Sequence, residues 1–553
     1  MFPTSTSPAS RQLVCNIGHA RARSIASALG PAVASISRHH VSHSTLMVGR
    51  INGVGRTYAT RLIHSSTNRP KPTDHLTIDN ASSLPATGGP QSNEMPKTPG
   101  PSPLAVLPLT NVLRSWMTTT VSSSPFLLPP SLAVMSVLAH TTNPVLNPDR
   151  NPLLRAFLKK TFYAQFCAGE NPAEVRQTID SLKQIGFSGV ILGYAREVVL
   201  TDSETKDLAS CAAEGGAAAE ECIRTEINPW AEGTMETVRL ASPGDFVALK
   251  FTGAGRQALY SLSKQLPPSE ALGSAIDGIC NLAAERGVRL LFDAEQNALQ
   301  PGIDDWTLDY MRRYNKTSTG NAVVYGTYQA YLKSTPATLS KHLAIAASEG
   351  FTLGVKLVRG AYLGADPRHL ICDTKADTDG QYDGIAEALL RKTWSGPLQP
   401  PAPQSGSAEK EMTNFPDVGV VLATHNRESV LKGKALLDSG VAKLGYEQVA
   451  FAQLQGMADE VSCELVAGPH ESPKEMEIAA EKESAKGSEK GSEMVNKPQV
   501  YKYLVWGSTG ECMKYLLRRA YENRDAVQRT RSGREAMGRE VRRRVKGLFG
   551  VSS

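Results

Sequence analysis

"TLGVKLV", residues 352–358, is a short run of β-branched and aliphatic residues interrupted by one lysine. A run this apolar reads as a strand covered on both faces, as in a parallel sheet. Seven more runs share its character: "GVILGY" (189–194), "FVALKF" (246–251), "VRLLFD" (288–293), "AVVYGTY" (322–328), "GVVLAT" (419–424), "QVAFAQL" (448–454) and "VYKYLV" (500–505). The segments between them are long enough for helices. Ahead of the first run, "NPAEVRQTIDSLKQIG" offers Asn171 as N-cap, Pro172 at the first helical position and Glu174 at the third. Eight alternating units predict an α/β fold, a distorted (β/α)8 TIM-like barrel; an open doubly wound sheet is the alternative.

Around this core the composition changes. Residues 1–73 hold no Asp or Glu and contribute +9 to a net charge of +6, which leaves −3 for the rest of the 553 residues. An acid-free segment rich in Arg and Ser reads as a mitochondrial transit peptide, or otherwise as a basic tail. The slightly acidic remainder carries no electrostatic footprint for nucleic acid. Residues 74–103 read as a Pro-, Ser- and Thr-rich linker, 104–168 as a helical arm, and 169–530 as the barrel. Insertions are expected near 201–223, 396–413 and 470–498. Eight scattered cysteines without a CxxC pair fit a reducing interior. The most apolar region, 122–140, is cut by Pro125, Pro129 and Pro130 and does not read as a membrane span. In the tail at 531–553, Met537, Val541, Val545 and Phe549 recur every fourth residue among arginines. That basic amphipathic helix docks either on a membrane surface or on the protein itself.

A barrel carries its functional groups at the C-terminal strand ends. Lys250 sits near the end of the second run, and Asp293 and Glu295 follow the third. Gln329 and Tyr331 follow the fourth, and Lys356, Arg359 and Tyr362 belong to the fifth. His425 and Asn426 follow the sixth, Gln455 the seventh, and Tyr503 lies in the eighth. Next comes "KYLLRRAYEN" (514–523), where helical spacing groups Tyr515, Arg518, Arg519 and Glu522 on one face. Taken alone it is a surface helix with an i,i+4 pair; at a barrel mouth it is a carboxylate receptor. Phosphate loops, dinucleotide fingerprints, HExxH and GxSxG are all missing from the sequence. The residues by themselves point to a barrel enzyme acting on a small carboxylate.

The combination "FYAQFCAGE" (162–170), "FDAE" (292–295), "TYQAYLK" (327–333), "VKLVRGAYL" (355–363), "ATHN" (423–426), "QLQGMAD" (453–459) and "YLLRRAYEN" (515–523) resembles the mitochondrial proline dehydrogenase family of fungal type. The resemblance implies a distorted barrel holding FAD, and oxidation of L-proline to Δ1-pyrroline-5-carboxylate by hydride transfer to flavin N5. It further implies electron transfer to ubiquinone, with peripheral contact on the matrix side of the inner membrane. Carried onto this sequence, Lys250, Asp293 and Tyr503 are the catalytic set, and no metal is implied. Leu357, Tyr362, Tyr515, Arg518, Arg519 and Glu522 bind substrate, while Gln329, Lys356, Arg359, His425 and Asn426 hold the cofactor. Glu197 is a candidate lid partner for Arg518. Two alternatives are 4-hydroxyproline as substrate, which the bulk of Tyr503 disfavours, and a catalytically silent barrel.

Overall fold

The computed structural model describes residues 102–195, 216–316, 322–364, 366–400, 414–468, 497–522 and 527–549. The transit segment, nearly all of the linker, most of each expected insertion and Glu197 lie outside the described residues, as does the side chain of Glu522.

All eight runs are strands: β1 (Gly189–Tyr194), β2 (Phe246–Leu249), β3 (Arg289–Phe292), β4 (Val324–Gln329), β5 (Leu353–Val358), β6 (Val418–Ala423), β7 (Val449–Leu454) and β8 (Gln499–Trp506). They pair in parallel in chain order, and β8 returns to β1 with Gly189 opposite Tyr501 and Ile191 opposite Tyr503. The sheet is a closed barrel, so the open doubly wound alternative is excluded.

The arm consists of α1 (Leu109–Ser122), α2 (Leu128–His140) and α3 (Pro152–Leu158), the last continuing through a π-turn to Phe166. α4 (Pro172–Ile185) starts on the Asn171 cap, whose Oδ1 accepts from Glu174 N at 3.1 Å, and stops at Gly186 with φ 113°. Around the barrel follow α5 (Ala217–Cys222), α6 (Asn228–Leu240), α7 (Arg256–Ser263), α8 (Glu270–Arg286), α9 (Gln300–Tyr314) and α10 (Thr335–Glu349). The circuit ends with α11 (Lys375–Arg391), α12 (Arg427–Asp438), α13 (Asp459–Ala467), α14 (Thr509–Glu522) and α15 (Val527–Leu548). Two edges of the expected insertions belong to the core instead. α5 buries Cys222 completely, and Leu398 is equally buried against the outer layer, because apolar side chains there complete the helix–sheet packing.

Strand residues alternate between the lumen and the helical layer. On β5, Leu353, Val355 and Leu357 pack into the helical layer, while Gly354 and Lys356 face inward. Gly354 is required: a Cβ there would sit 2.3 Å from the Val324 carbonyl oxygen. The lumen is plugged by Phe246, Tyr325 and Tyr501, with the Arg289 guanidinium 3.7 Å above the Phe246 ring and 2.8 Å from the Tyr501 hydroxyl. That end is packed for stability, which leaves the opposite mouth for chemistry.

The arm and tail cover one side of this mouth. α2 packs Leu132 and Ala139 onto Met513 and Leu517 of α14. α1 packs Val112 beside Leu104, Leu107, Cys463 and Met537 of α15. Arg544 Nη2 donates to the carbonyls of Leu104 and Leu107 at 3.0 and 2.8 Å. Docking on the body therefore accounts for Met537 and Val541, whereas Val545 and Phe549 stay exposed. No described helix is long and apolar enough to cross a membrane.

Candidate active site

Four of the strand-end residues form one polar cluster. Asp293, just past β3, accepts from Lys356 Nζ at 2.6 Å and pairs with Lys250 Nζ at 3.3 Å. The Tyr503 hydroxyl donates to its other face at 3.3 Å, and Lys356 Nζ lies 5.3 Å from the centre of the Tyr503 ring. All four are buried or nearly so, and a buried charge persists only when paired in this way. Burial opposes ionisation of Asp293, but Lys356 and Lys250 override it and hold its carboxyl down at about 2. For Lys356 burial outweighs the Asp293 carboxylate, with Lys250 and Arg519 adding repulsion, so its ammonium is held below the usual lysine range. Burial also pushes the Tyr503 phenol far up, keeping it a neutral donor.

α14 starts just after β8 and brings Tyr515 and Arg519 over this cluster. The Arg519 guanidinium stacks 5.4 Å from the Tyr515 ring centre. Arg518 and Arg519 are close enough to Tyr362 for their charge, with that of Lys250, to pull against the burial that raises its phenol. Tyr362 is anchored by its hydroxyl to the Ala294 carbonyl at 3.3 Å. Two lysines thus pair with the Asp293 carboxylate, and two arginines lie near Tyr362 together with Lys250 and Glu295, leaving an aromatic-walled mouth with an excess of cations, suited to a small anion.

The second expected set is distributed differently. Gln329 Oε1 accepts from Ala361 N at 3.0 Å and so ties β4 to the β5 loop. Arg359 is held by Asp379, by Thr424 Oγ1 at 3.1 Å and by Ser429 Oγ at 2.7 Å, with its charge engaged by Asp379. His425 Nε2 accepts from Leu454 N at 3.1 Å, and Asn426 Oδ1 caps α12 by accepting from Ser429 N at 3.2 Å. These three residues secure the β5, β6 and β7 loops on the rim. Leu357 is a correction. Being one residue from Lys356 it points the opposite way, is fully buried between barrel and helices, and does not wall the mouth.

Gln329 Nε2, Thr327 Oγ1 and Gln455 Oε1 are buried at strand ends without a protein partner. Leaving such atoms unmatched costs about 1–3 kcal/mol each, so the rim fits a ligand offering both donors and acceptors, as a flavin ring edge does. No group of three or more metal-ligating side chains occurs among the described residues.

Two pairings escaped the motif reading. Glu295 binds both Thr252 N, at 3.1 Å, and Thr252 Oγ1, buckling the loop after Lys250 to the loop after Asp293. Lys502, almost wholly buried, pairs with Asp459 at 2.7 Å and joins β8 to the start of α13. Glu295 was already visible as a charge two residues after Asp293, but its partner Thr252 was not. Lys502 had no signal, because a lysine in an apolar run does not announce its partner.

Comparison with known proteins places these observations. A family model described as proline dehydrogenase matches residues 175–532. The chain is 29% identical over 483 residues to "Probable proline dehydrogenase, mitochondrial" of Schizosaccharomyces pombe, spanning 79% of this chain and 89% of that one. It is 26% identical over 430 residues to "Proline dehydrogenase 1, mitochondrial" of Dictyostelium discoideum, spanning 71% and 66% of the two chains. To "Hydroxyproline dehydrogenase" of Bos taurus it is 26% identical over 426 residues, spanning 71% and 82%.

Proposed function

The chain belongs to the proline dehydrogenase family and acts in proline catabolism, and on that premise we propose that it oxidises L-proline to Δ1-pyrroline-5-carboxylate with bound FAD, passing the electrons to ubiquinone. The observation that carries this reading is the Asp293–Lys356–Lys250–Tyr503 cluster set beneath the arginine-bearing helix α14.

Arg518 and Arg519 hold the substrate carboxylate, with Lys250 adding a third positive charge. Tyr503, Tyr515 and Tyr362 wall the ring and exclude water, which strengthens each charge contact. Asp293 keeps Lys250, Lys356 and Tyr503 in register. Because its carboxyl is held near 2, it stays an acceptor at any working pH. Flavin supplies the hydride acceptor at N5 when bound. Lys356 presents an ammonium donor on that side, and Gln329, with its unmatched Nε2, offers a second. Arg359, His425 and Asn426 shape the same rim through their loops, and His425 and Asn426 line the cavity above it. Glu522, on the face of Tyr515, Arg518 and Arg519, is assigned to the substrate ammonium or to ordering the arginines.

The relatives named mitochondrial, together with the acid-free basic N-terminus, support a mitochondrial address, and electron transfer to ubiquinone would put the protein at the inner membrane, on its matrix side in this proposal. A relative named hydroxyproline dehydrogenase makes 4-hydroxyproline the competing substrate. The Tyr503 hydroxyl, held on Asp293 in the mouth, favours the unsubstituted ring. The test is a visible spectrum of the purified protein before and after anaerobic addition of each substrate. A flavin band bleached by proline faster than by hydroxyproline supports the reading; a colourless protein, or faster bleaching by hydroxyproline, overturns it.

A further inference from the structure

A cavity of about 2150 Å³ lies between the barrel mouth and the arm. It is larger than the roughly 300–1,000 Å³ of an ordinary small-molecule site. One end is polar and belongs to the site described above, lined by Tyr503, Tyr515, Arg519, His425 and Asn426. The arm walls another part with Leu113, Met117, Leu128, Leu132, Met135 and Phe162, while charged side chains, among them Arg114, Lys160, Glu464, Arg539 and Arg543, line the remainder. Arg114 and Lys160 bound this apolar stretch of the arm. From Ser115 to Pro148 there is no Asp, Glu, Lys or Arg. The hairpin of α1 and α2 nonetheless turns large apolar side chains to the outside. Phe126 at its tip is 87% exposed, Met117 64% and Val134 57%. Large apolar side chains exposed together in an uncharged segment mark a contact with hydrocarbon or protein.

The geometry points to the α1–α2 hairpin as a lipid-facing port, and to the apolar part of the cavity as the seat of a membrane quinone's isoprenoid chain. The polarity of the cavity matches this occupant. A ligand of that form lays a long, uncharged, flexible chain along α1 and α2 toward the exposed tip and brings its polar head to the Tyr503–Arg519 end in turn with proline, after the oxidised product has left. The inference rests on the proposed proline-to-quinone oxidation. Converting the ring CH–NH to C=N releases two electrons and two protons, and one quinone reduced to quinol takes both. The port also relocates the membrane contact expected of the basic tail, since α15 packs its Met537 face onto α1.

The experiment measures proline oxidation by the holoenzyme with three acceptors: a water-soluble dye, a quinone ring without a tail, and the same ring with a tail of about ten carbons. Each methylene taken out of water contributes a factor of roughly four, so KM for the tailed quinone is expected at least about tenfold below that for the tailless ring. Met135→Trp, which fills the cavity, should erase this difference, and so should Met117→Glu, a charge at an exposed wall position that leaves the fold intact. Dye-linked turnover reports separately on the proline and flavin sites, and its absence in the unaltered enzyme would refute the proposed function instead. A KM insensitive to tail length, or a tail effect that survives in Met117→Glu, overturns the port. A saturated fatty chain that competes with the tailless ring as well as with the tailed one would also overturn it, because the chain would then occupy the head end.

Discussion

Replacing Asp293 by Asn is the sharpest perturbation of the site. The carboxylate takes a 2.6 Å bond from Lys356, a 3.3 Å contact from Lys250 and a 3.3 Å bond from Tyr503, at 6% exposure. Asparagine keeps the shape but leaves two ammonium groups facing each other without their counter-charge. Removing one partner of a buried ion pair costs about 3–5 kcal/mol. The pH dependence gives a partial check on that figure. Asp293 is held at about 2, below the ordinary 3.8, so its stabilisation is complete above the unfolded value and is lost as pH falls through about 2. That shift alone is worth on the order of 2 kcal/mol, the remainder being the penalty on the uncompensated buried lysine charges. Denaturant unfolding at neutral pH should therefore show Asp293→Asn several kcal/mol less stable, with the gap closing in strong acid. Proline kcat/KM should fall by about a hundredfold or more, since Lys356 and Tyr503 lose their common anchor. Equal stability at neutral pH, a gap that widens in acid, or kcat/KM within threefold of the parent would refute this account of the cluster.

With Arg519 on the proline carboxylate as proposed, Arg519→Met would remove a charge-assisted bond worth roughly 1.5–3 kcal/mol, so KM for proline should rise about tenfold or more while flavin content is preserved; an unchanged KM excludes Arg519 from carboxylate binding. Lys502→Met strands Asp459, its 2.7 Å partner, and should lower unfolding stability by about 3–5 kcal/mol with little change in turnover per folded molecule. Glu540 is buried beneath Arg543 and Arg544 and its carboxyl is held at about 2 against an ordinary 4.5, although burial alone would raise it. Its contribution is present above the unfolded value and lost as pH falls through about 2, so Glu540→Gln should loosen α15 at neutral pH, seen as faster hydrogen exchange there. Deleting residues 531–553 should destabilise the protein by uncovering Leu104, Val112 and Cys463, yet leave liposome binding largely in place if the α1–α2 hairpin is the membrane contact.

The barrel was legible in the chain because parallel strands covered on both faces must be apolar throughout, and that demand is local. Each of the eight runs declared itself without reference to its neighbours, and only closure separated barrel from open sheet. Lys250, Asp293, Lys356 and Tyr503 were legible as polar interruptions at strand ends, where a charge has no local justification. Their meeting was not legible. It depends on the stagger that brings the ends of β2, β3, β5 and β8 to one level, a property of the closed sheet rather than of any strand. Leu357 shows the limit most plainly. Motif position placed it beside the substrate, yet alternation along β5 turns it outward once Lys356 points in. The roles of Arg359 and His425 in holding loops, and the Lys502–Asp459 pair, rest on partners 20 to 70 residues away, whereas Asn426 caps its own helix through Ser429, three residues on. Sequence alone determined which residues are charged, apolar or helix-forming, since those are properties of single side chains and their near neighbours. Only tertiary structure decided which of them face one another and which lie buried, because pairing and burial depend on the path of the whole chain.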